Sequence, residues 1–144
     1  MDHPAPTPVP ASLEEIRETF AFFDGWEDKY RYVIDLGKAL AELPAAWRTE
    51  EFLVRGCQSQ VWLVAHTANG RMQLAIDSDA HIVRGLIAIV LAAYQDRPPR
   101  EILTFDIDAL FNELQLLAHL SATRGNGLRA MVTRIVSLAQ AATH

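Results

Sequence analysis

Cysteine is scarce in this sequence, with one copy, Cys57, among 144 residues. One cysteine cannot close a disulfide within the chain, and it cannot supply the several thiolates of a structural zinc site or an iron–sulfur cluster. The five histidines do not lie at metal-ligand spacing from one another or from the cysteine. These shortages exclude a disulfide-stapled secreted domain, and they predict that the chain holds no metal.

Positive charge and long apolar runs are also in short supply. Thirteen Lys and Arg against eighteen Asp and Glu give a formal net charge of −5, which argues against nucleic-acid binding and against a polybasic membrane anchor. The longest apolar run, Gly85 to Tyr94, is about half the length that a membrane-crossing helix requires. The first residues lack the basic and apolar segments of a signal peptide. We therefore expect a soluble, cytoplasmic protein with neither a nucleic acid nor a membrane as partner.

The composition is that of one compact domain with a short extension. Half of the residues are apolar and 22% are charged, which is ordinary for a globular protein. Four prolines within the first eleven residues predict a flexible tail over residues 1–11. Residues 12–144 are predicted to form a single domain.

Apolar residues recur at helical spacing in five segments of the chain. These lie at about 13–23, 26–40, 80–94, 102–120 (with an interruption near Phe105) and 128–139. Between the second and third, the β-forming run Val61 to Val64 and the alternating run Met72 to Ile76 flank Asn69-Gly70, a typical hairpin turn. The pattern predicts an α+β protein with a small antiparallel β-sheet packed against several helices. The helix at 80–94 should be the most buried one.

The sequence contains two carboxylate pairs, and it lacks the motifs of several enzyme classes. Asp77-x-Asp79 and Asp106-x-Asp108 are predicted to be helix caps or solvated turns. The sequence has no Gly-rich phosphate-binding motif and no GxSxG, so nucleotide binding and serine hydrolysis have little support.

Cys57 is the residue whose neighbours favour chemistry. Gly56 precedes it and Gln58 and Ser59 follow, which places the thiol on a polar loop before a strand rather than in an apolar stripe. We predict a partly covered thiol with Gly56 as the hinge of its loop. The alternative is an inert cysteine that packs as a small hydrophobe.

Arg124 is the second candidate. It lies in the Gly-rich stretch 121–127, at a predicted helix start with Ser121 as the cap. Positive potential there could hold a thiolate or a persulfide, so we predict that Arg124 lies near Cys57 and favours its anionic form. The alternative is a surface arginine paired with a carboxylate.

Four segments of this sequence resemble, in order, segments of the SufE family of sulfur-acceptor proteins, which work beside cysteine desulfurases in iron–sulfur cluster assembly. The segments are Trp26 to Gly37, Gly56 to Trp62, Asp77 to Leu86, and Leu120 to Leu128. The resemblance implies a fold similar to that of the scaffold protein IscU, and Cys57 matches the family's sulfur-accepting cysteine.

The resemblance also implies partners and a reaction. Cys57 would take persulfide sulfur from a SufS-like cysteine desulfurase, stimulate that enzyme, and pass the sulfur to a downstream iron–sulfur scaffold. The pyridoxal phosphate belongs to the desulfurase, so the chain needs no cofactor of its own and acts as a transfer partner rather than a stand-alone enzyme. The sequence leaves open whether the chain forms a homodimer.

Two other classes of function remain open. A thiol-dependent enzyme, such as a Cys-based hydrolase or peroxidase, would need a base beside Cys57. The nearest histidine that follows it, His66, is predicted on a strand with no orienting partner. The other class is a protein-interaction module in which Cys57 is incidental.

Overall fold

A computed structural model describes residues 3–143 of the chain and has the predicted α+β architecture. The strands are β1 (Val61–Ala68) and β2 (Arg71–Ser78). The helices are α1 (Leu13–Phe22), α2 (Trp26–Ala39), α3 (His81–Tyr94), α4 (Pro99–Thr104), α5 (Ile107–Leu114), α6 (Leu116–His119) and α7 (Ala122–Ala142). Within residues 3–143, no helix is long and apolar enough to cross a membrane.

The two strands form an antiparallel hairpin around Asn69-Gly70. Their register runs from Val61 opposite Ser78 to Ala68 opposite Arg71. Asn69 and Gly70 have φ values of 55° and 75°, and two successive positive φ angles are what a tight two-residue hairpin turn requires. The predicted turn is therefore confirmed, and both strands extend beyond their predicted apolar cores.

Helix α3 is the most buried helix, as predicted. Ten of its fourteen residues are buried. It packs closely against α2, where Gly85 faces Val33 and Gly37 faces His81. A Cβ on either glycine would overlap the backbone of the facing helix, so both positions require glycine.

The segment before β1 covers the hairpin face that points away from α3. It contains two 3-10 turns, Ala45–Trp47 and Glu50–Phe52. Their aromatic side chains pack on a second, smaller apolar cluster. The buried members of that cluster are Leu43, Trp62, Val64 and Ala75. Both faces of the hairpin are therefore covered, which explains how two strands suffice for a stable sheet.

The prediction of a flexible tail is wrong for residues 3–11, which lie against β2. Thr7 is 6% exposed, and its N–H donates to the Leu74 carbonyl at 2.9 Å. Its hydroxyl accepts from the Ile76 N–H at 3.0 Å, and its carbonyl accepts from Gln95 Nε2 at 2.8 Å. Proline lacks the N–H that a sheet edge needs, so Thr7 supplies these bonds between two prolines. Residues 1 and 2 lie outside the described part of the chain.

Asp77 is a second correction. It was predicted as a cap or a solvated turn residue, but it is 2% exposed and forms an ion pair with Arg84 of α3. Its carboxylate also accepts from the Leu43 N–H at 2.9 Å. The N-cap of α3 is Ala80, which has no side-chain cap. Asp106, in contrast, caps α5 as predicted, by accepting from the backbone N–H at the third helical position.

Candidate functional site

Cys57 lies near the middle of a loop that is held at both ends. The Val54 N–H donates to the Val61 carbonyl at 2.8 Å and closes the loop at its base. The Gln60 N–H donates to Asp79 Oδ1 at 3.1 Å, which ties the end of the loop to the residues before α3. The free part of the loop is therefore short, and its two ends are held in place relative to the hairpin and the start of α3.

Gly56 brings this loop against helix α7. Its φ of +94° is rarely adopted by residues with a side chain, and a Cβ there would lie 3.3 Å from the Ala130 Cβ. The backbone angle and the close approach both favour glycine. The role of Gly56 as a hinge remains a prediction.

Replacing Gly56 by alanine should lower the free energy of unfolding by more than replacing Gly70. Both glycines have positive φ, which penalises alanine by roughly 1–2 kcal/mol. Only Gly56 has a neighbour, Ala130, within 4 Å of the added methyl. Urea unfolding of Gly56→Ala and Gly70→Ala measures the difference. A smaller loss for Gly56→Ala would mean that the contact with α7 does not constrain the loop.

The Cys57 thiol is half-buried, as the sequence predicts for a partly covered thiol. Its S–H donates to the Gly127 carbonyl of α7, with the sulfur 3.6 Å from the oxygen. Burial raises the pKa of Cys57 above its ordinary value. The hydrogen bond acts in the same direction, because a carbonyl can accept from a thiol but not stabilise a thiolate. Both effects favour the protonated thiol over the thiolate.

A cavity of about 520 Å³ opens beside Cys57. Apolar side chains from β1, α3 and α7 form one part of its wall, and polar residues from the Cys57 loop and the start of α7 form the other. The apolar residues are Val61, Val83, Leu86, Leu128 and Met131, and the polar ones are Gln58, Ser59, Ser121, Thr123 and Arg124. The cavity can therefore accept a small group joined to the Cys57 sulfur.

Arg124 lines the same cavity as Cys57, so the structure brings the two predicted residues together. It lies in the first turn of α7, where its N–H donates to the hydroxyl of the N-cap Ser121 at 3.2 Å. Its side chain is exposed and forms no ion pair with any of residues 3–143. Its charge is therefore free for an anion, although it does not lower the pKa of the resting thiol.

The histidine nearest after Cys57 in sequence is engaged elsewhere. His66 stacks on His3, with ring centroids 3.5 Å apart, and the pKa of His66 is lowered by burial and by His3. Among residues 3–143, none that lines the Cys57 cavity is a histidine or a carboxylate. The cavity thus lacks the side chain that would serve a Cys-based hydrolase as its base.

The sequence reasoning missed Gly127 and the apolar wall that α3 contributes. Gly127 lies in the interior of α7, where glycine is less favourable than alanine by about 0.5–1 kcal/mol. A glycine inside a helix is a signal that a neighbouring segment can pack there, and here an added Cβ would lie 3.5 Å from Cys57 Sγ. Its partner Cys57 lies 70 residues earlier in the chain and could not be identified from sequence.

By its fold and its site, the protein is a small α+β domain that carries one thiol on a loop beside a cavity. The fold is similar to the solution structure of a hypothetical protein from Thermus thermophilus, with a TM-score of 0.73 and 18% identity. The match covers 94% of this chain and 98% of the Thermus chain.

Sequence comparisons identify the family. Residues 14–139 match the family model described as SufE, Fe-S metabolism associated domain. An uncharacterized SufE-like protein of Rhizobium etli is 55% identical over 129 residues, with 87% of each chain covered. Another, of Rhizobium meliloti, is 50% identical over 133 residues, covering 90% of this chain and 95% of its own. The chain belongs to the SufE family, and the resemblance seen in the four segments is confirmed.

Proposed function

We propose that this protein is a sulfur acceptor and carrier of iron–sulfur metabolism. It takes persulfide sulfur from a cysteine desulfurase onto Cys57 and passes it to a downstream iron–sulfur scaffold, in the cytoplasm. The observation that carries the proposal is a lone half-buried thiol beside a cavity of about 520 Å³, in a chain of the SufE family. The pyridoxal phosphate that releases sulfur from free cysteine belongs to the desulfurase.

The transfer step needs no reagent beyond the two proteins. The Cys57 thiolate attacks the outer sulfur of the desulfurase persulfide, and a new S–S bond forms as the donor's S–S bond breaks. The donor cysteine leaves as a thiolate and takes up a proton, which balances the proton lost by Cys57. Since Cys57 is the chain's only cysteine, no second thiol of this chain can attack the new persulfide and convert it to a disulfide.

In the proposed transfer, Cys57 leaves α7 before it reacts. Its thiol donates to the Gly127 carbonyl, and its pKa is raised by burial, so the resting form is a poor nucleophile. Movement of the loop about Gly56 would free the thiol from the carbonyl and carry it, with Gln58 and Ser59, towards the desulfurase. Exposure would then coincide with ionisation, which limits oxidation of the resting thiol.

Arg124 is proposed to stabilise the sulfur anion once the thiol is free. Because burial raises the pKa of Cys57, its alkylation rate should keep rising above about pH 8.5, the ordinary pKa of a free cysteine. Arg124→Ala should slow alkylation at neutral pH by about twofold to fivefold, as expected for an exposed charge, and less at high salt. Iodoacetamide labelling followed across pH measures both effects.

The control for Arg124 is another arginine of α7. Arg129 is exposed and lies 3.5 Å from a carboxylate oxygen of Asp108, and it does not line the Cys57 cavity. Arg129→Ala should leave the alkylation profile of Cys57 unchanged. If Arg124→Ala and Arg129→Ala behave alike, Arg124 does not act on the sulfur.

The proposed function is tested by the activity of the desulfurase itself. Alanine release from cysteine should rise when this protein is added to its cognate desulfurase. Protein whose Cys57 has been alkylated beforehand should give no increase. An equal increase with alkylated protein would favour the interaction module, and no increase with the intact protein would contradict the sulfur-acceptor function.

A further inference from the structure

The end of α1 carries the most exposed large apolar side chain among residues 3–143. Phe22 is 80% exposed, whereas the other two exposed ones, Val9 and Leu103, are 38% and 36% exposed. The Phe22 ring meets the Phe23 ring edge-on, with centroids 5.7 Å apart, and it belongs to neither apolar cluster of the fold. A single exposed apolar residue is ordinary on a protein surface, but an aromatic one at the rim of a cavity indicates an interaction surface.

A cavity of about 230 Å³ lies beside Phe22, because Phe23 forms part of its wall. Its other apolar walls are Phe20 of α1 and Leu114 of α5. Pockets for small-molecule ligands usually measure about 300–1,000 Å³, so a cavity of this size suits one large apolar side chain. None of the residues that line it also lines the Cys57 cavity.

The same surface carries one unpaired charge of each sign. Lys29 lies half-buried in the cavity wall and forms no ion pair with any of residues 3–143. Asp24, which is exposed and follows Phe22 by two residues, also forms none within that range. Arg17 and Glu113 line the cavity too, but they pair with each other at 3.1 Å. The surface therefore offers a protruding ring with an anion and a hole with a cation.

We propose that this surface, which comprises residues 17–29 and 113–115, joins two copies of the chain in a symmetric dimer. Phe22 of one copy inserts into the cavity of the other, and Asp24 of the first pairs with Lys29 of the second. A two-fold axis repeats both contacts, as an interface between identical surfaces requires. A second copy is the occupant because the surface supplies the ring, the hole and both charges itself. The interface uses none of the residues that line the Cys57 cavity.

One aromatic anchor from each copy makes a small interface, so we expect a weak dimer with a dissociation constant of about 10–100 µM. Sedimentation equilibrium of the whole chain, from about 1 µM to 1 mM, measures it. No desulfurase is present, so the result is independent of the proposed function.

Phe22→Ser should raise the dissociation constant at least about thirtyfold, because it removes a central aromatic anchor from both halves of the interface. Its circular dichroism spectrum should be unchanged, since the side chain is exposed. Leu103→Ser is the matched control. It also removes an exposed apolar side chain, but Leu103 lies on α4 and does not line the cavity, so the dissociation constant should stay the same.

Charge reversal tests the pairing of Asp24 with Lys29. Asp24→Lys and Lys29→Glu should each weaken the dimer, because each places like charges opposite one another twice. The two changes combined in one chain restore opposite charges across the axis, and the double variant should dimerise as the original does.

An original chain that stays monomeric up to about 1 mM would overturn the proposal, and its exposed ring and cavity would then be open to a different protein. Equal dissociation constants for Phe22→Ser and the original chain would also overturn it, as would an equal weakening by Leu103→Ser. Weakening by both single reversals with no recovery in the double variant would contradict the paired arrangement.

Discussion

Replacing Cys57 by serine is expected to abolish sulfur transfer while leaving the fold intact. Serine is close to cysteine in size, but its hydroxyl forms no persulfide. The half-buried position next to Gly127 accepts a hydroxyl, which can donate to the same carbonyl as the thiol does. Alanine release by the cognate desulfurase should stay at its level without acceptor, and the circular dichroism spectrum should be that of the original protein.

The serine variant also separates a carrier from an interaction module. Its docking surface is unchanged, so an excess of Cys57→Ser should compete with the original chain and lower the stimulation that the original gives. Cys57→Ala should lose sulfur transfer in the same way. That result would show that the hydroxyl introduced by serine is not the cause of the loss. Full stimulation of the desulfurase by Cys57→Ser would contradict the sulfur-acceptor function.

Replacing Arg84 by methionine is expected to destabilise the fold strongly. The side chains of Arg84 and Asp77 are 12% and 3% exposed, so the variant would leave a buried carboxylate without its cation. Arg84 Nε also donates to the Gly37 carbonyl at 3.0 Å, and that bond would be lost too. Breaking a buried ion pair from one side lowers the free energy of unfolding by about 3–5 kcal/mol. Urea unfolding measures this change.

An exposed ion pair of the same chain provides the control. Arg31 lies near Glu27 and Asp28 on the surface of α2, and its side chain is 67% exposed. Arg31→Met should lower the free energy of unfolding by less than about 1 kcal/mol. Similar losses for Arg84→Met and Arg31→Met would show that the buried pair does not stabilise the fold.

The buried Asp77–Arg84 pair lies close in sequence to the residue that holds the end of the Cys57 loop. Asp77 is two residues before Asp79, whose carboxylate accepts from Gln60. Residues 77–79 therefore connect the ion pair to the end of the loop.

The hairpin and most helices were predictable because their signals are local. Asn69-Gly70 specifies a turn with two positive φ angles, and the apolar residues of α2 and α3 recur at helical spacing. The sequence signal for the start of α7 at Ala122 was weaker. The helical spacing of apolar residues becomes clear only from Leu128, and two glycines precede Leu128 in the helix. There the cap Ser121 was the informative residue.

The features that sequence did not predict depend on residues far apart in the chain. Asp77 resembled a solvated turn residue, because nothing near it in sequence shows that the 40–43 segment and Arg84 would enclose it. Thr7 lies in a Pro-rich stretch whose composition suggests a flexible tail, and only the edge of β2 gives its polar groups partners. For the site, Cys57 and Arg124 were found by their chemistry, but Gly127, whose carbonyl accepts from the Cys57 thiol, was not.

The most direct test of the central claim is the mass of the peptide that contains Cys57. The protein is incubated with its cognate desulfurase and cysteine, the thiols and persulfides are capped by alkylation, and the peptides are analysed by tandem mass spectrometry. The proposed function predicts a gain of one sulfur atom located on Cys57. An unchanged Cys57 peptide, while the desulfurase cysteine in the same sample carries a persulfide, would contradict it.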